Sequence, residues 1–204
     1  MEVQIRKATA ADIPALLTPV AQAFAQEPLT IWLLGDGQAG LRRGERSAAV
    51  EFEMASHYDL MFTTTGLQGA ALWYPPGVRR AFWQELTFIW RFIGIVPLTR
   101  NVGAQIKLLS QIERARPKTP YYYLRLLAVA PAWQGRGIGT ALLRPILDIC
   151  DAQGVPAYLE TDFEPNLRFY ERHGFSVKET IPIPPAGLRM WTMWREAGTS
   201  RVKK

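Results

Sequence analysis

Residues 134–139 are Gln-Gly-Arg-Gly-Ile-Gly, and they lie between a strand-like run, Tyr121 to Val129, and a helix-like run, Thr140 to Ala152. The start of a helix leaves backbone N–H groups without partners, and these groups carry partial positive charge. Glycine lets a ligand approach the backbone closely and accepts φ values that other residues avoid. The order of strand, glycine-rich turn and helix therefore predicts a site for an anion such as a diphosphate. Arg136 adds a positive charge beside it.

The spacing of these glycines differs from two common nucleotide-binding motifs. A Rossmann fingerprint needs a third glycine at position 140, where this chain has Thr140. A Walker loop needs Gly-Lys followed by Ser or Thr, which is also absent. Taken alone, the residues are equally consistent with a tight strand-to-helix turn that binds nothing.

Two longer segments resemble motifs of a known superfamily. Residues 127–143, LAVAPAWQGRGIGTALL, are similar to the acetyl-CoA-binding motif of the GNAT N-acetyltransferases, and residues 166–175, NLRFYERHGF, resemble the motif that follows it. Shorter segments resemble the puromycin N-acetyltransferase-like subgroup: residues 116–118, 155–161, 169–172 and 189–193. The resemblance is strong over residues 116–195 and loose over the first 115 residues.

The resemblance implies the GNAT acyl-CoA N-acyltransferase fold, an α/β (α+β) architecture. Its mixed, mostly antiparallel central sheet is flanked by helices, and one domain spans residues 1–204. Two helix candidates, 81–96 and 100–115, lie where the minimal fold passes directly to its next strand. We therefore expect a helical insertion around 78–118 that shapes the substrate pocket.

Local patterns predict the remaining elements. Val3 to Ala8 alternates like a half-buried strand, and Ile138, Leu142 and Ile146 have the spacing of a helix face that packs on a sheet. Pro182, Pro184 and Pro185 are expected between the last two strands. The other predicted elements are helices from about 12 to 26, 38 to 57 and 165 to 173, and strands at 58–64, 69–74, 157–161, 175–180 and 188–194.

Composition limits the class of protein. The 204 residues are 48% hydrophobic and 21% charged, which suits a packed soluble domain. The net charge of +6 is not concentrated in one block; a polyanionic cofactor would explain it as well as a nucleic acid, and a solvated surface needs no further explanation. Cys150 is the only cysteine, which excludes a disulfide within the chain, and we read it as a core residue. The most apolar stretch, Leu86 to Leu98, contains Arg91 and is too short to span a membrane.

The resemblance also implies how acetyl-CoA is held. The backbone of the glycine turn takes the diphosphate, and the free edge of the strand before it pairs with the pantetheine arm. A freed N–H near Val129 polarises the thioester carbonyl. No metal is expected. The predicted cofactor-binding residues are Leu127, Ala128, Val129, Gln134, Gly135, Arg136, Gly137, Ile138, Gly139, Thr140 and Asn166.

Three residues are predicted to carry the chemistry. Tyr170 lies four residues after Asn166, on the same helix face, at the place where the superfamily has its usual general acid for the CoA sulfur. The general base is left open between Glu160, Glu27 and, with less support, Asp162. Each of these carboxylates is equally well explained as a structural group. His173 is interpreted as structural because it ends a helix.

The leading hypothesis is an acetyl-CoA-dependent N-acetyltransferase whose small-molecule primary amine attacks directly in a ternary complex. One alternative is acetylation of a protein or peptide amine, and another is a CoA-binding sensor without turnover. Nucleic-acid binding ranks last. We expect a cytoplasmic protein without a membrane partner, because the N-terminus lacks a basic start followed by an apolar run. A homodimer is left open.

Overall fold

The first half of the chain supplies one edge of a sheet and three helices. The structure, a computed structural model, describes residues 3–78, 95, 102–183 and 187–199. The elements up to residue 78 are β1 (Ile5–Lys7), α1 (Ile13–Phe24), α2 (Pro28–Leu34), α3 (Gly37–Ala55), β2 (Met61–Thr64) and β3 (Gly69–Tyr74).

The second half supplies the sheet centre and its other edge. Its described elements are α4 (Val102–Ala115), β4 (Tyr122–Val129), α5 (Ile138–Gln153), β5 (Ala157–Thr161), α6 (Pro165–Glu171), β6 (Ser176–Ile183) and β7 (Leu188–Arg195).

All seven strands form one sheet in the order β1-β2-β3-β4-β5-β7-β6. Of its neighbouring pairs only β4 and β5 run parallel, and the others are antiparallel. Helices pack on both faces. The predicted fold class, a mixed and mostly antiparallel sheet flanked by helices, is therefore confirmed.

The two faces of the sheet bury separate cores. On one face, Leu142, Leu143 and Ile146 of α5 are fully buried against β3 and β4, as their helical spacing predicts. On the other face, Leu16 of α1 and Phe52 of α3 are fully buried against β3, β4 and β5. A third apolar cluster joins α2 and α4 to the last two strands. Both ends of β4 are thus held by packed helices.

The sequence predictions differ from the structure in two places. β6 runs through Pro182, which was expected in the connection after it. Proline is accommodated because β6 is the edge strand and pairs only with β7. Helix α2 is absent from the predictions, although Pro28 provides a favourable first helical residue.

The helix predicted at 81–96 lies outside the described residues, whereas the one predicted at 100–115 is α4. None of the helices that the structure describes is long and apolar enough to cross a membrane.

Candidate active site

The glycine turn between β4 and α5 has an open backbone. Gly135 and Gly137 have φ of 73° and 78°, and a Cβ atom built on either would meet no atom within 4 Å. The first backbone hydrogen bond of α5 joins Ala141 N–H to Gly137 O at 3.0 Å. The N–H groups of residues 138–140 precede that bond and point out of the helix end. This surface has the form of an anion site.

Side chains of the same turn hold it in place. Gln134 Nε2 donates to Val129 O at 3.0 Å, which ties the turn to the end of β4. The Arg136 guanidinium carbon lies 4.8 Å from the centroid of the Trp133 ring. This cation–π contact keeps the positive charge beside the turn. Ile138 is buried and anchors the first turn of α5 in the core.

Strands β4 and β5 separate after a short parallel pairing. Tyr122, Tyr123 and Leu124 pair with residues 157–159, and the rest of β4 has no partner in β5. The separation begins at a β-bulge, because Leu72 and Trp73 of β3 pair with Leu126 and Leu124 and skip Arg125. A bulge increases the local twist and bends the strand away from its neighbour.

Backbone alternation decides which groups of β4 face the gap. Ala130 N–H donates to Gln68 O at 2.8 Å, so its backbone groups face β3. In an antiparallel ladder the next residue turns its N–H and C=O to the opposite side. Val129 and Leu127 therefore present their backbone groups to the free edge, whereas Ala128 presents its groups to β3. Of the three predicted cofactor-binding positions in β4, two face the gap.

Helix α6 packs against the first turn of α5. A Cβ on Gly139 would come within 3.2 Å of the Phe169 ring, so only glycine allows this approach without displacement. Thr140 Oγ1 lies 3.0 Å from His173 Nε2, and Asn166 Nδ2 donates to Thr161 Oγ1 at 3.4 Å. The segments that carry the two motifs thus contact each other at Gly139 with Phe169 and at Thr140 with His173.

Two carboxylates meet beside Tyr170. Burial and, to a smaller extent, the negative charge of Asp162 raise the pKa of Glu27 to about 8. Burial also raises the pKa of Asp162, which accepts a hydrogen bond from Leu29 N–H at 3.3 Å. The Tyr170 side chain is 7% exposed, and burial together with the charge of Glu27 raises the pKa of its hydroxyl well above 10. The sequence offered no sign that Glu27 and Asp162 are neighbours, since they lie far apart in the chain.

Glu160 lies in a different environment from Glu27. Its carboxylate accepts a hydrogen bond from the Tyr123 hydroxyl at 2.5 Å and pairs with Arg116 Nε at 3.3 Å. Its side chain is only 8% exposed. Burial and the neighbouring Glu160 raise the pKa of Tyr123 to about 12. Glu160 is thus engaged by a hydroxyl donor and a cation, and the Glu27 carboxylate is near a second negative charge.

An ion pair at the bulge was missed in the sequence. Arg125 Nε donates to Glu51 Oε2 at 2.7 Å, and a second guanidinium nitrogen contacts the other carboxylate oxygen. The pair ties α3 to the residue at which β4 bends. Its signal in the sequence is a single arginine within an otherwise apolar run, YYYLRLLAV.

Cys150 is buried in the core, and burial raises the pKa of its thiol to about 12. A thiol with so high a pKa is a poor nucleophile at neutral pH. Among the described residues, no group of three or more His, Cys, Asp or Glu side chains has the arrangement of a metal site.

Known proteins share this sequence pattern and this fold. The pattern of the Acetyltransferase (GNAT) family matches residues 78–175. An uncharacterised N-acetyltransferase of Schizosaccharomyces pombe is 23% identical over 193 residues, covering 86% of this chain and 75% of the yeast protein.

Two solved structures illustrate the likeness of the fold. A Corynebacterium glutamicum protein described as histone acetyltransferase HPA2 and related acetyltransferase has a TM-score of 0.70 and 22% identity, with 97% of each chain covered. The polyamine N-acetyltransferase of Drosophila melanogaster, described as forming N-acetylagmatine, has a TM-score of 0.69 and 16% identity, with 96% of this chain and 100% of that one covered.

Proposed function

We propose that this chain, whose residues 78–175 match the Acetyltransferase (GNAT) family, is an acetyl-CoA-dependent acyltransferase and that its acceptor is the primary amine of a small molecule. The amine attacks the thioester directly in a ternary complex. The observation that carries this proposal is that buried Glu27 interacts with the charge of Asp162, which directly follows β5, and with Tyr170 of α6, while Leu29 N–H donates to Asp162.

The geometry supports one position for acetyl-CoA. Its diphosphate binds the N–H groups of the glycine turn, and its pantetheine arm pairs with the backbone of Leu127 and Val129 along the free edge. Asn166 and Thr140 line the same surface. A backbone N–H at this edge donates to the thioester oxygen and stabilises the oxyanion as the amine attacks.

Glu27 is the general base of this proposal. An amine reaches the site largely as an ammonium ion and must lose a proton before its nitrogen can attack. A carboxylate with a pKa of about 8 accepts that proton far more readily than an ordinary glutamate. Glu160 suits the role less well, because Arg116 and the Tyr123 hydroxyl already stabilise its charge. We assign Glu160 to positioning of the strand edge.

Tyr170 is proposed to interact with the sulfur atom of CoA as the C–S bond breaks. Its raised pKa keeps the hydroxyl protonated, so it remains a donor throughout the reaction. Complete release of its proton to a thiolate, whose ordinary pKa is about 8.5, is unfavourable. Tyr170 therefore acts by donating a hydrogen bond to the sulfur as negative charge develops there. As the C–S bond breaks, the thiolate takes the second proton that the attacking nitrogen loses, and Glu27 returns the first proton to solvent.

The charge of the site favours a small cationic acceptor. The negative charge that Asp162 and the ionised fraction of Glu27 carry attracts an ammonium group, and the neighbour from Drosophila is described as forming N-acetylagmatine. A peptide amine is the second candidate, since the Corynebacterium neighbour is described as a histone acetyltransferase. A puromycin-like aminonucleoside remains a candidate on the sequence resemblance alone.

Acetyl-CoA-dependent thiol release tests the proposal. The panel contains polyamines, arylalkylamines, aminoglycosides, puromycin-like aminonucleosides, and peptides with free α-amino or lysine groups. We expect release with one class of small amine and its loss in Glu27→Gln. If only peptides support thiol release, the acceptor is a peptide amine and not a small molecule. If the protein binds CoA but releases thiol with no amine of the panel, it is a sensor and not an enzyme.

A further inference from the structure

His173 connects the two halves of the proposed CoA site through both nitrogens of its ring. Nδ1 lies 2.7 Å from Phe169 O in α6, and Nε2 lies 3.0 Å from Thr140 Oγ1 in α5. A carbonyl oxygen only accepts hydrogen bonds, so Nδ1 carries the hydrogen. In the neutral ring Nε2 is then an acceptor, and the Thr140 hydroxyl must donate to it.

The surroundings keep this ring neutral in the free protein. Burial lowers the pKa of His173; the hydrogen bond to Phe169 O opposes this, and three arginines lower the pKa further: Arg172 beside it in the chain, Arg195 of β7 and Arg144 of α5. Arg195 Nε also donates to His173 O at 2.9 Å, and its guanidinium is paired with Asp151 at 2.8 Å. The charges that face the ring are therefore mainly positive.

Thr140 is the third residue of α5, in the turn whose N–H groups form the anion surface. While its hydroxyl donates to neutral His173, that hydrogen is not available to a phosphate oxygen. Only its lone pairs are free, and they repel an anion. The close contact between Gly139 and Phe169 keeps α6 at this distance from the turn.

We propose that His173 controls the direction of the Thr140 hydroxyl hydrogen bond and so makes diphosphate binding depend on the protonation of its own ring. Protonated His173 donates from Nε2 to Thr140 Oγ1, and the hydroxyl hydrogen turns to a phosphate oxygen. The imidazolium also adds a positive charge beneath the anion surface. The inference rests on the proposed binding of CoA at the glycine turn.

The two forms of the site are linked thermodynamically. A ligand that prefers the protonated ring must raise the pKa of His173 when it binds, and protonation must tighten binding by the same factor. We expect an upward shift of about one pKa unit, which corresponds to roughly tenfold tighter binding to the protonated protein.

NMR of the two imidazole rings tests this directly. The chain has two histidines, and the exposed His57 serves as an internal reference. The probe is dephospho-CoA, which keeps the diphosphate and lacks the 3′-phosphate that itself titrates near pH 6. We expect the Nδ1–H tautomer in the free protein and a raised pKa for His173, but not His57, in the complex.

An Nε2–H tautomer, or an unchanged or lowered pKa of His173 in the complex, would overturn the inference while leaving CoA binding intact. Absence of any binding in calorimetry would overturn the assignment of the CoA site and this inference with it. The two failures are therefore distinguishable.

Two variants at Thr140 separate the hydroxyl from the packing of its side chain. Thr140→Val removes the hydroxyl at nearly the same volume, and Thr140→Ser retains it. Calorimetry with dephospho-CoA at about pH 5.5 and about pH 8 brackets the titration of a histidine. We expect binding to be several-fold tighter at the lower pH, and at most roughly tenfold, in the native protein and in Thr140→Ser, and we expect this preference to be lost in Thr140→Val. If Thr140→Val bound dephospho-CoA more tightly at low pH to the same extent as the native protein, the Thr140 hydroxyl would have no part in this pH dependence.

Discussion

Replacing Asp162 with asparagine should shift the pH dependence of catalysis. Burial and the charge of Asp162, in that order, raise the pKa of Glu27 to about 8. The substitution removes the charge, and the amide oxygen of the new side chain can still accept the hydrogen bond from Leu29 N–H. Burial remains, so the pKa of Glu27 should fall by about one unit rather than return to its ordinary value.

The size of the effect follows from the fraction of Glu27 that is ionised. With a pKa of about 8, roughly a tenth of the carboxylate is ionised at pH 7. A pKa near 7 would raise that fraction to about a half, so kcat/KM at pH 7 should rise roughly fivefold. Well above pH 8 both proteins are fully ionised, and their rates should converge.

The assay is thiol release under kcat/KM conditions from about pH 6 to about pH 9.5, with one amine for all proteins. The protonation of the amine then affects every profile equally, so it cancels when kcat/KM of a variant is divided by kcat/KM of the native protein at the same pH. Asp148→Asn is the matched control, because Asp148 is exposed on α5. If the rising part of the profile of kcat/KM against pH does not shift in Asp162→Asn, the proposed electrostatic coupling between Glu27 and Asp162 is refuted. If the same rise of kcat/KM with pH persists in Glu27→Gln, Glu27 is not the general base.

Three further outcomes are expected. Tyr170→Phe should keep its affinity for acetyl-CoA in calorimetry but lower kcat by ~10–10³-fold, and an unchanged kcat would remove the hydroxyl from the mechanism. Gly137→Leu and Gly154→Leu both force a side chain onto a residue with positive φ in open space, so each should lower the free energy of unfolding by about 1–2 kcal/mol. Only the first should abolish CoA binding, and equal binding in both would remove the glycine turn from the site. Glu51→Gln should destabilise the protein by about 1–3 kcal/mol in denaturant titration because the partly buried Arg125 guanidinium loses its charged partner, whereas the double change Glu51→Leu with Arg125→Met should cost less.

Much of the fold could be predicted because its signals are local. β3 and β5 begin and end at the predicted residues, since each is a short apolar run bounded by turn residues. The helical spacing of Ile138, Leu142 and Ile146 correctly predicted a buried face. Pro182 was placed outside a strand because proline disfavours sheet interiors, and only the topology showed that its strand is an edge.

The candidate site was predictable only in part. Gly135 to Thr140 could be proposed from the sequence because an anion site at a helix start is built from consecutive backbone groups, and their binding of CoA stays a prediction. The general base was left open between Glu27 and Glu160, because both are carboxylates in suitable segments. Their environments differ through residues far away in the chain, Asp162 for the first and Arg116 for the second.

The sequence by itself therefore determined most of the described strands and helices, the glycine turn and the family resemblance, since each depends on neighbours within a few residues. Only the tertiary structure decided which carboxylate has a raised pKa, where β4 leaves β5, and that Thr140 faces His173. The reason is physical: the pKa of an acid depends on its burial and on nearby charges, and the direction of a hydroxyl hydrogen bond depends on its partner. In this protein those charges and partners come from segments that are distant in sequence and adjacent only after folding.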